Sequence, residues 1–246
     1  MATLFLSDLH LSAERPEKLD VFFSVLDAAA HRVDAVYVLG DLFEFWLGDD
    51  DDTPEYAEVV QRLGALSRQG VALKVARGNR DFLLGEQFGA ATGAELLPDY
   101  YVAMLDGEAH LLTHGDLLCT RDLNYQAFRR HVWDPQNQRD YLALPLAARR
   151  RIAADTRSGT VASMLAKDGN IMDVEEETVR SVMREYGVRR LVHGHTHRPA
   201  VHEFELDGAS CRRIVLGEWY GGTLLGLHLD GETRLISAED FIAASA

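Results

Sequence analysis

Short apolar runs of strand length alternate with helical patterns along the first 81 residues. The runs lie at 2–8, 34–41 and 71–81, and the helical patterns between them lie at 17–31 and 54–70. Strands that alternate with helices are typical of α/β proteins, in which helices cover the faces of a sheet. The sequence therefore predicts an α/β or mixed α/β sheet protein.

More strands are predicted further along the chain. Residues 110–116 and 188–197 contain apolar runs of the same kind, and residues 211–219 and 223–237 have the pattern of β-hairpins. The chain has 246 residues, no internal repeat and no low-complexity linker, and it is long enough to bury a substantial core. We therefore expect a single domain over residues 1–246.

The composition argues against several classes of function. The formal net charge is −14, whereas proteins that bind nucleic acid in general need clustered positive charge. Cys119 and Cys211 are the two cysteines, too few for a disulfide scaffold or a thiolate metal site. The first residues lack the basic and apolar regions of a secretory signal, and no apolar run reaches the roughly 20 residues needed to cross a bilayer. We expect a cytoplasmic protein that does not bind nucleic acid.

Each predicted strand of the sheet ends at a polar cluster. The clusters are at 7–10 (SDLH), 40–41 (GD), 78–81 (GNRD), 113–116 (THGD) and 194–197 (GHTH). Any one of them alone is an ordinary turn, but five in this order form a joint signal. Because ligand sites of open α/β sheets lie outside the carboxyl ends of the strands, we expect the clusters to line one crevice.

These clusters supply hard oxygen donors and imidazoles but no thiolate. The candidate ligands are Asp8, His10, Asp41, Asn79, His114, His195 and His197. This set suits Mn²⁺, Fe²⁺ or Zn²⁺, and seven ligands are too many for one tetrahedral ion. Two divalent ions that share a bridging carboxylate would use all of them.

Three histidines at alternating positions, His193, His195 and His197, follow the last apolar run. Period two is typical of extended chain and predicts that the three side chains point the same way. The alternative interpretation is a polar turn that happens to be rich in histidine. Neutral imidazole is the commonest metal ligand, which favours a metal site.

The series DLH, GD, GNRD, HGD and GHTH resembles the motifs of the calcineurin-like metallophosphoesterases. The resemblance implies a four-layer sandwich of two mixed β-sheets flanked by helices, with a site for two divalent metal ions. The implied ligands are Asp8, His10 and His197 for one ion, Asn79, His114 and His195 for the other, and Asp41 as the bridge. His193 is expected to be structural.

Many members of this superfamily carry histidine directly after the motif asparagine, where this chain has Arg80. Arginine cannot act as a general acid near neutral pH, but it can hold phosphate oxygens and neutralise charge in the transition state. A site without that acid suits a leaving group that needs no protonation, such as a phosphate monoester released from a pyrophosphate. We therefore expect a diphosphatase in which Asp41, Asn79, Arg80 and His195 are catalytic.

Residues 121–157 form a basic amphipathic segment with eight arginines, no lysine and four aspartates. Apolar side chains such as Phe128, Trp133 and Tyr141 interleave with the arginines. One interpretation is a solvated helical hairpin whose apolar face docks on the core. The other is a helical cap at about 118–175 that covers the crevice, attracts phosphate and contacts a membrane surface.

An acidic run occupies residues 49–52, directly before a predicted helix. Negative charge is favourable near a helix N-terminus. We expect a solvated helix start there rather than another metal site.

Longer stretches resemble one branch of the superfamily, the UDP-2,3-diacylglucosamine diphosphatases of lipid A biosynthesis. These stretches include LGDLFEFWLGDDD, GNRDFLLG, HGDLLCTRDLNYQAFR, ALPLAARRRIAA and VHGHTHRPAVHE. The resemblance implies that water attacks the UMP phosphorus of UDP-2,3-diacylglucosamine and releases UMP and 2,3-diacylglucosamine 1-phosphate. It also implies Mn²⁺ as the cofactor and a peripheral position on the cytoplasmic face of the inner membrane. We expect a monomer.

The substrate contacts implied by this branch are Asn79, Arg80, Asp122, Thr160, Lys167 and His195. Thr160 stands where the branch usually has serine and keeps the hydroxyl group. Met164 stands where an asparagine is common, and its thioether cannot replace the amide. This chain therefore departs from the branch at a position implied to contact the glucosamine head group.

Two other functions are compatible with the same fold. One is a dinuclear phosphoesterase that acts on soluble nucleotides without acyl chains. The other is a scaffold that kept the fold and lost the chemistry, although such proteins usually lose metal ligands and here none is missing.

Overall fold

Two mixed β-sheets form the centre of the fold. The computed structural model describes residues 1–166, 173–219 and 223–244, with residues 157–166 described by their backbone. The strands of this part are β1 (Thr3–Leu6), β2 (Ala35–Leu39), β3 (Ala72–Ala76), β4 (Glu95–Leu96), β5 (Tyr101–Leu105), β6 (Glu108–Leu112), β7 (Arg190–His193), β8 (Ala200–Leu206), β9 (Ala209–Val215), β10 (Leu224–Leu229) and β11 (Glu232–Ser237). One sheet has the order β11-β10-β1-β2-β3-β4 and the other the order β5-β6-β7-β9-β8. The predicted pair of mixed sheets is confirmed.

Helices cover the outer faces of both sheets. The described helices are α1 (Pro16–Ala29), α2 (Pro54–Arg68), α3 (Glu86–Thr92), α4 (Leu123–Val132), α5 (Pro135–Leu142), α6 (Leu146–Ala166), α7 (Glu176–Glu185) and α8 (Ala238–Ala243). Phe22, Val59 and Phe241 place α1, α2 and α8 in one buried cluster with the six-stranded sheet. Val179 and Met183 of α7 are buried against the five-stranded sheet. The layers are therefore helix, sheet, sheet and helix, as the resemblance implied.

The strands divide their side chains between two core layers. Leu4 and Leu6 of β1 belong to the cluster under the helices. Phe5, between them, packs in the cluster between the sheets together with Leu112 and Val192 of the second sheet. Because both faces are covered, every residue of β1 and β2 is buried, which explains their continuous apolar runs.

The strands that precede the polar clusters are parallel neighbours. β1 pairs with β2 and β2 with β3, and these strands end at Leu6, Leu39 and Ala76. In the second sheet β6 pairs in parallel with β7, and they end at Leu112 and His193. Parallel neighbours present their carboxyl ends at the same edge of a sheet. The predicted runs were longer than the strands because each included the first loop residues.

Two Asp-Gly turns build the hairpins of the last third of the chain. Asp230 and Gly231 join β10 to β11 with positive φ at both residues, as a tight hairpin turn requires. The predicted hairpin at 223–237 is confirmed. The strand predicted at 211–219 is β9, but it pairs with β8 upstream and with β7. The elements β4, β5, β8, α3, α7 and α8 were not predicted from the sequence.

Residues 121–157 form α4, α5 and the first part of α6, so the hairpin interpretation was wrong about the number of helices. Two arginines of this segment, Arg129 and Arg149, are buried and paired with aspartates. Because these arginines are buried in ion pairs, the segment is not simply a solvated face. We call residues 118–156 the cap.

The acidic run directly precedes α2, as predicted, and Asp50 and Asp52 are exposed, but the run also makes ion pairs and hydrogen bonds that were not predicted. Asp50 pairs with Arg149 of the cap, and Asp52 pairs with Arg150. Asp49 accepts hydrogen bonds from the backbone N–H groups of Gln87 and Phe88, at 2.9 Å and 3.1 Å. The run therefore joins the cap and α3 to the core.

The core under α1 gives a stability prediction. Phe22 is completely buried and makes an edge contact with Trp219, at 6.0 Å between ring centroids. We expect Phe22→Ala to lower the free energy of unfolding by about 3–5 kcal/mol through lost burial and the cavity left behind. Urea denaturation measures this loss. The neighbouring variant Phe23→Ala, at a half-buried position, is the control, and an equal loss in both variants would contradict this assignment of the core.

Candidate active site

The five polar clusters converge where the parallel strands end. Asp41 lies between the clusters of the two sheets: its Oδ2 is 3.7 Å from Nε2 of His10, and its Oδ1 is 3.8 Å from Nε2 of His114. The seven candidate ligands form one chain of contacts of 2.9–3.8 Å, through Asp8, His197, His10, Asp41, His114, Asn79 and His195. The structure therefore brings all seven candidate ligands together.

Asp8, His10 and His197 form one group of donors. Nε2 of His197 lies 3.3 Å from Oδ1 of Asp8 and 3.4 Å from Nε2 of His10. One donor atom from each residue lies within 4.8 Å of the others. Oδ2 of Asp8 accepts a hydrogen bond from the backbone N–H of His195, at 2.8 Å, which orients the carboxylate.

Asn79, His114 and His195 form the second group. Oδ1 of Asn79 is 3.0 Å from Nε2 of His114 and 2.9 Å from Nδ1 of His195, and the two imidazole nitrogens are 3.2 Å apart. Nδ1 of His114 donates to the carbonyl oxygen of Leu39, at 2.9 Å. Burial would lower the pKa of His114, but the carboxylates of Asp41, Asp8 and Asp116 raise it to about 9, so Nε2 is protonated and donates to Oδ1 of Asn79. A divalent metal ion would replace that proton, because a deprotonated imidazole nitrogen and an amide oxygen are both metal ligands, so the donor set fits such an ion.

The charges of the buried ligands are tuned by burial and by one another. Burial lowers the pKa of His10 to about 3 and, with help from the neighbouring His114, that of His195 to about 4. Burial alone would raise the pKa of Asp8, but the surrounding imidazoles outweigh it and lower the pKa below the ordinary value. His10 and His195 are therefore neutral and Asp8 is ionised at neutral pH, which are the forms that bind a metal ion.

The backbone at the ligands is strained. Eight non-glycine residues of the described chain have positive φ, and five of them are predicted ligands: Asp8, His10, Asp41, His195 and His197, with φ between 49° and 68°. Such conformations cost free energy and persist where surrounding contacts enforce them, typically at functional sites. The interpretation of residues 193–197 as extended chain was therefore wrong, because β7 ends at His193 and the next two histidines have left-handed backbone.

His193 contacts other groups than the ligands. It is completely buried, and its Nδ1 lies 2.8 Å from the carbonyl oxygen of Gly194. Its Nε2 lies 3.1 Å from Nη1 of Arg213. Both ring nitrogens are thus engaged away from the ligand cluster, which agrees with the expected structural role.

Two glycines let the loops approach one another. A Cβ atom at Gly78 would lie 2.1 Å from Oδ1 of Asp41, and one at Gly194 would lie 2.2 Å from Oδ2 of Asp8. Real Cβ atoms do not approach oxygen so closely. The GNRD and GHTH clusters therefore need glycine at these positions to deliver their ligands.

Asp81, the last residue of the GNRD cluster, holds two ligand loops together. It is completely buried and accepts backbone hydrogen bonds from Leu42 at 2.7 Å, Gly78 at 2.8 Å and Asp41 at 3.2 Å. The sequence analysis placed Asp81 in a polar cluster but gave it no role. Its position two residues after the candidate ligand Asn79 could have indicated a role in holding that loop.

Two glutamates lie behind the imidazoles of the first group, and the sequence analysis missed both. Oε2 of Glu218 is 2.6 Å from Nδ1 of His197, and Oε2 of Glu44 is 3.5 Å from Nδ1 of His10. A carboxylate in this position fixes the ring and makes it a better metal ligand. Glu218 follows β9, far from every predicted motif, so no local pattern indicated it.

A cavity of about 560 Å³ adjoins the ligand cluster. Asn79, Arg80, Asp122 and His195, four of the predicted substrate contacts, line it. The side chain of Thr160 and all of Lys167 lie outside the described residues, as does the side chain of Met164. Asp122 is buried and also caps α4, because its Oδ1 accepts from the backbone N–H of Tyr125 at 3.0 Å.

Another part of the cavity wall is apolar, and half of its apolar side chains come from the cap. The apolar side chains that line it are Phe45, Trp46, Leu47, Phe82, Leu83, Phe128, Val132, Tyr141, Ile152 and Ala153. Side chains of the cap therefore line the crevice. One cavity joins metal-ligand side chains to an apolar surface.

Arg80 lines the cavity and contacts both a candidate metal ligand and an apolar side chain. Its backbone N–H donates to Oδ1 of Asp41 at 2.8 Å, and its guanidinium lies 5.5 Å from the ring centroid of Phe45. The Nε atom is buried and has no hydrogen-bond partner among the described residues. Arg80 is thus held beside the ligand cluster with hydrogen-bonding capacity to spare.

Residues 1–199 match the model of the family described as calcineurin-like phosphoesterase. The chain belongs to this family. A UDP-2,3-diacylglucosamine hydrolase of Aeromonas hydrophila is 48% identical, over 96% of this chain and 98% of its own length. The enzyme of the same name from Salmonella typhi is 48% identical, over 89% of this chain and 92% of its own length.

Two similar solved structures are more distant in sequence. The E. coli phosphoesterase Yfce is 19% identical with a TM-score of 0.49, covering 98% of this chain and 94% of its own. An archaeal phosphodiesterase is 14% identical, also with a TM-score of 0.49, over 96% of this chain and 99% of its own. Membership of the calcineurin-like phosphoesterase family implies divalent metal ions, and the donor set fits them.

Glu218 lies beyond the part of this phosphoesterase that matches the family model, and its contact with His197 gives a prediction. We expect Glu218→Ala to raise the dissociation constant of one Mn²⁺ ion by about 10- to 100-fold, because the imidazole loses its orienting carboxylate. Titration calorimetry with the metal-free protein measures this. Glu203→Ala, at an exposed carboxylate of β8, is the control, and unchanged affinity in the Glu218 variant would contradict the role.

Proposed function

We propose that this phosphoesterase hydrolyses the pyrophosphate bond of UDP-2,3-diacylglucosamine, releasing UMP and 2,3-diacylglucosamine 1-phosphate. The observation that carries the proposal is the single cavity that joins the ligand cluster to an apolar wall. A substrate with a pyrophosphate and two acyl chains has the matching chemistry. Relatives about as long as this chain and 48% identical to it are UDP-2,3-diacylglucosamine hydrolases.

The proposed cofactor is a pair of Mn²⁺ ions. Asp8, His10 and His197 would hold one ion, Asn79, His114 and His195 the other, and Asp41 both. When bound, such a pair lowers the pKa of a water molecule and stabilises negative charge on phosphoryl oxygens. The bond that forms joins the oxygen of water to the UMP phosphorus, and the bond that breaks joins that phosphorus to the bridging oxygen.

Arg80 is proposed to bind the phosphate oxygens. Arg80 lines the cavity, its Nε has no hydrogen-bond partner among the described residues, and a guanidinium can donate two parallel hydrogen bonds to phosphate. It does not protonate the leaving group, because arginine keeps its proton at neutral pH. A departing phosphate monoester already carries its negative charge stably. Asn79 and His195 line the same end of the cavity and are proposed to contact the same phosphate.

The remaining substrate contacts are proposals that rest on the family likeness. Asp122 is buried at the cavity, where its carboxylate can accept from a hydroxyl or amide of the substrate. Thr160 and Lys167 are proposed to contact the head group.

We propose a peripheral position on the cytoplasmic face of the inner membrane. Apolar side chains of the cap remain exposed, among them Leu123, Phe128, Leu142, Leu144 and Ile152, and arginines lie between them. Exposed apolar and basic side chains together favour an anionic lipid surface. No helix in the described part of the chain is long and apolar enough to span a membrane. We propose that the protein acts as a monomer.

The acyl chains give the test of the proposed substrate. Each buried methylene adds about 0.8 kcal/mol of binding free energy, part of which can position the pyrophosphate. We expect kcat/KM for UDP-N-acetylglucosamine to be at least about a thousandfold lower than for the diacylated substrate, a difference of roughly 4 kcal/mol. Both substrates are assayed with metal-stripped protein to which Mn²⁺ has been added, and the release of UMP is measured. Equal values for both substrates would instead support a phosphoesterase for soluble nucleotides.

The bridging carboxylate gives a second test. Asp41→Ala removes the group that contacts both halves of the ligand cluster, and we expect turnover to fall by several orders of magnitude because both ions lose a ligand. Initial rates and bound metal are measured together. Asp27→Ala, an exposed carboxylate on α1, serves as the control. Near-normal turnover in the Asp41 variant would exclude the assigned site.

A further inference from the structure

Arg149 is a fully buried arginine outside the metal-ligand cluster. Its side chain is 2% exposed, and arginine is almost never buried to this extent unless it is paired. Nη1 donates to Oδ1 of Asp50 at 2.8 Å, and Nη2 donates to the other oxygen of the same carboxylate. Nη1 also donates to the carbonyl oxygen of Leu47, and Nε donates to that of Leu144 at 3.1 Å. All three guanidinium nitrogens therefore have acceptors.

The acceptors come from two different parts of the fold. Leu144 lies between α5 and α6, whereas Leu47 and Asp50 belong to the loop that follows β2 and its ligand Asp41. The hydroxyl group of Tyr141 also donates to the carbonyl oxygen of Arg149, at 3.2 Å, which ties α5 to α6. Arg149 thus fastens the junction of two cap helices to the core.

Gly48 leaves room for this contact. A Cβ atom there would lie 2.6 Å from Nη1 of Arg149 and 2.7 Å from Cδ2 of Leu142, and the residue has φ of +132°. A side chain at position 48 would push the guanidinium out of its place. The loop therefore needs glycine at position 48 to accept the guanidinium of Arg149.

The same loop reaches the reacting end of the cavity. Phe45, Trp46 and Leu47 line the cavity, and the backbone N–H of Trp46 donates to the carbonyl oxygen of Arg80 at 3.2 Å. The indole N–H of Trp46 donates to Oδ1 of Asp49 at 3.0 Å. One short segment therefore contacts the phosphate-binding arginine at one end and the cap at the other.

We propose that Arg149 and Asp50 form a latch that holds the α5–α6 side of the cap at a fixed distance from the metal-ligand cluster, and so determines how tightly the acyl chains are bound. The proposal rests on the proposed function for the identity of the substrate. Arg149 and Asp50 are positioning residues, since neither touches the reacting atoms. The α4 side of the cap has a separate anchor, in which Arg129 pairs with Asp116 and Asp99 at 2.7 Å each.

A latch that positions the acyl-chain wall affects two substrates differently. The pyrophosphate contacts the ligand cluster and Arg80 in both acylated and unacylated UDP-sugars, whereas the cap wall contacts acyl chains. Loosening the latch should therefore raise KM for the acylated substrate and leave kcat/KM for the unacylated substrate unchanged. A merely structural role would lower activity on both substrates together.

The experiment compares Arg149→Met and Asp50→Asn with Arg150→Met, a matched control at the adjacent, exposed arginine that pairs with the same acidic run. Kinetics with UDP-2,3-diacylglucosamine and UDP-N-acetylglucosamine, bound Mn²⁺ and backbone hydrogen exchange are measured for each protein. For both latch variants we expect KM for the acylated substrate to rise about tenfold or more. We expect kcat/KM for the unacylated substrate and bound metal to stay within about twofold of the wild type. Residues 135–156 should exchange faster, while the strands of both sheets keep their protection.

Unchanged KM in a folded Asp50→Asn protein, or an equal loss on both substrates, would overturn the latch. If Arg149→Met does not fold, Asp50→Asn decides alone, because it keeps the size of the side chain and removes the charge. Failure of the proposed function has a different signature: wild-type protein would not favour the acylated substrate at all. In that case faster exchange confined to residues 135–156 still supports the latch, and unchanged exchange there overturns it.

Discussion

The carboxylate of Asp41 joins the two halves of the ligand cluster, and much of the structure serves to place it. It faces His10 from one sheet and His114 from the other, at 3.7 Å and 3.8 Å. The loop of Asp41 follows a strand with parallel pairing, and its backbone donates a hydrogen bond to the carboxylate of Asp81. It also needs glycine at position 78, where a side chain would clash, and a left-handed backbone at Asp41 itself. Burial raises the pKa of Asp41, so a bound cation also provides the charge that keeps this carboxylate ionised.

Several arginines of the cap form ion pairs with aspartates of the protein and are therefore not free to bind phosphate. A basic segment in a chain of net charge −14 invites the interpretation that it attracts phosphate. Yet Arg129 and Arg149 are buried against aspartates, and Arg150 pairs with the acidic run. Ion pairs with a buried partner contribute little net stability but can fix one arrangement among several. The proposed recognition of phosphate is therefore assigned to Arg80 and not to the local excess of arginine.

Sequence reasoning predicted the ligands because they follow buried strands directly. Apolar runs locate β1, β2, β3, β6 and β7, and the ligands begin within two or three residues of each strand end. The same reasoning failed where the contacts join distant parts of the chain. Glu218 approaches His197 only after β9 has joined the sheet, and Asp50 meets Arg149 only after the cap has folded back. The left-handed backbone at His195 and His197 was missed as well, because alternation in sequence carries no information on φ.

The pairing of β1 has a consequence for the order of assembly on the ribosome. β1 is flanked by β2 on one side and by β10 on the other, with Thr3 opposite both Ala35 and His228. More than two hundred residues must therefore be synthesised before the central strand of the six-stranded sheet has its second neighbour. Until then β1 presents an open, largely apolar edge, which is prone to wrong pairing. Because Glu218 lies on the path from β9 to β10, the nascent chain completes the proposed metal site at the same late stage, and a partly made chain would bind the ion less well.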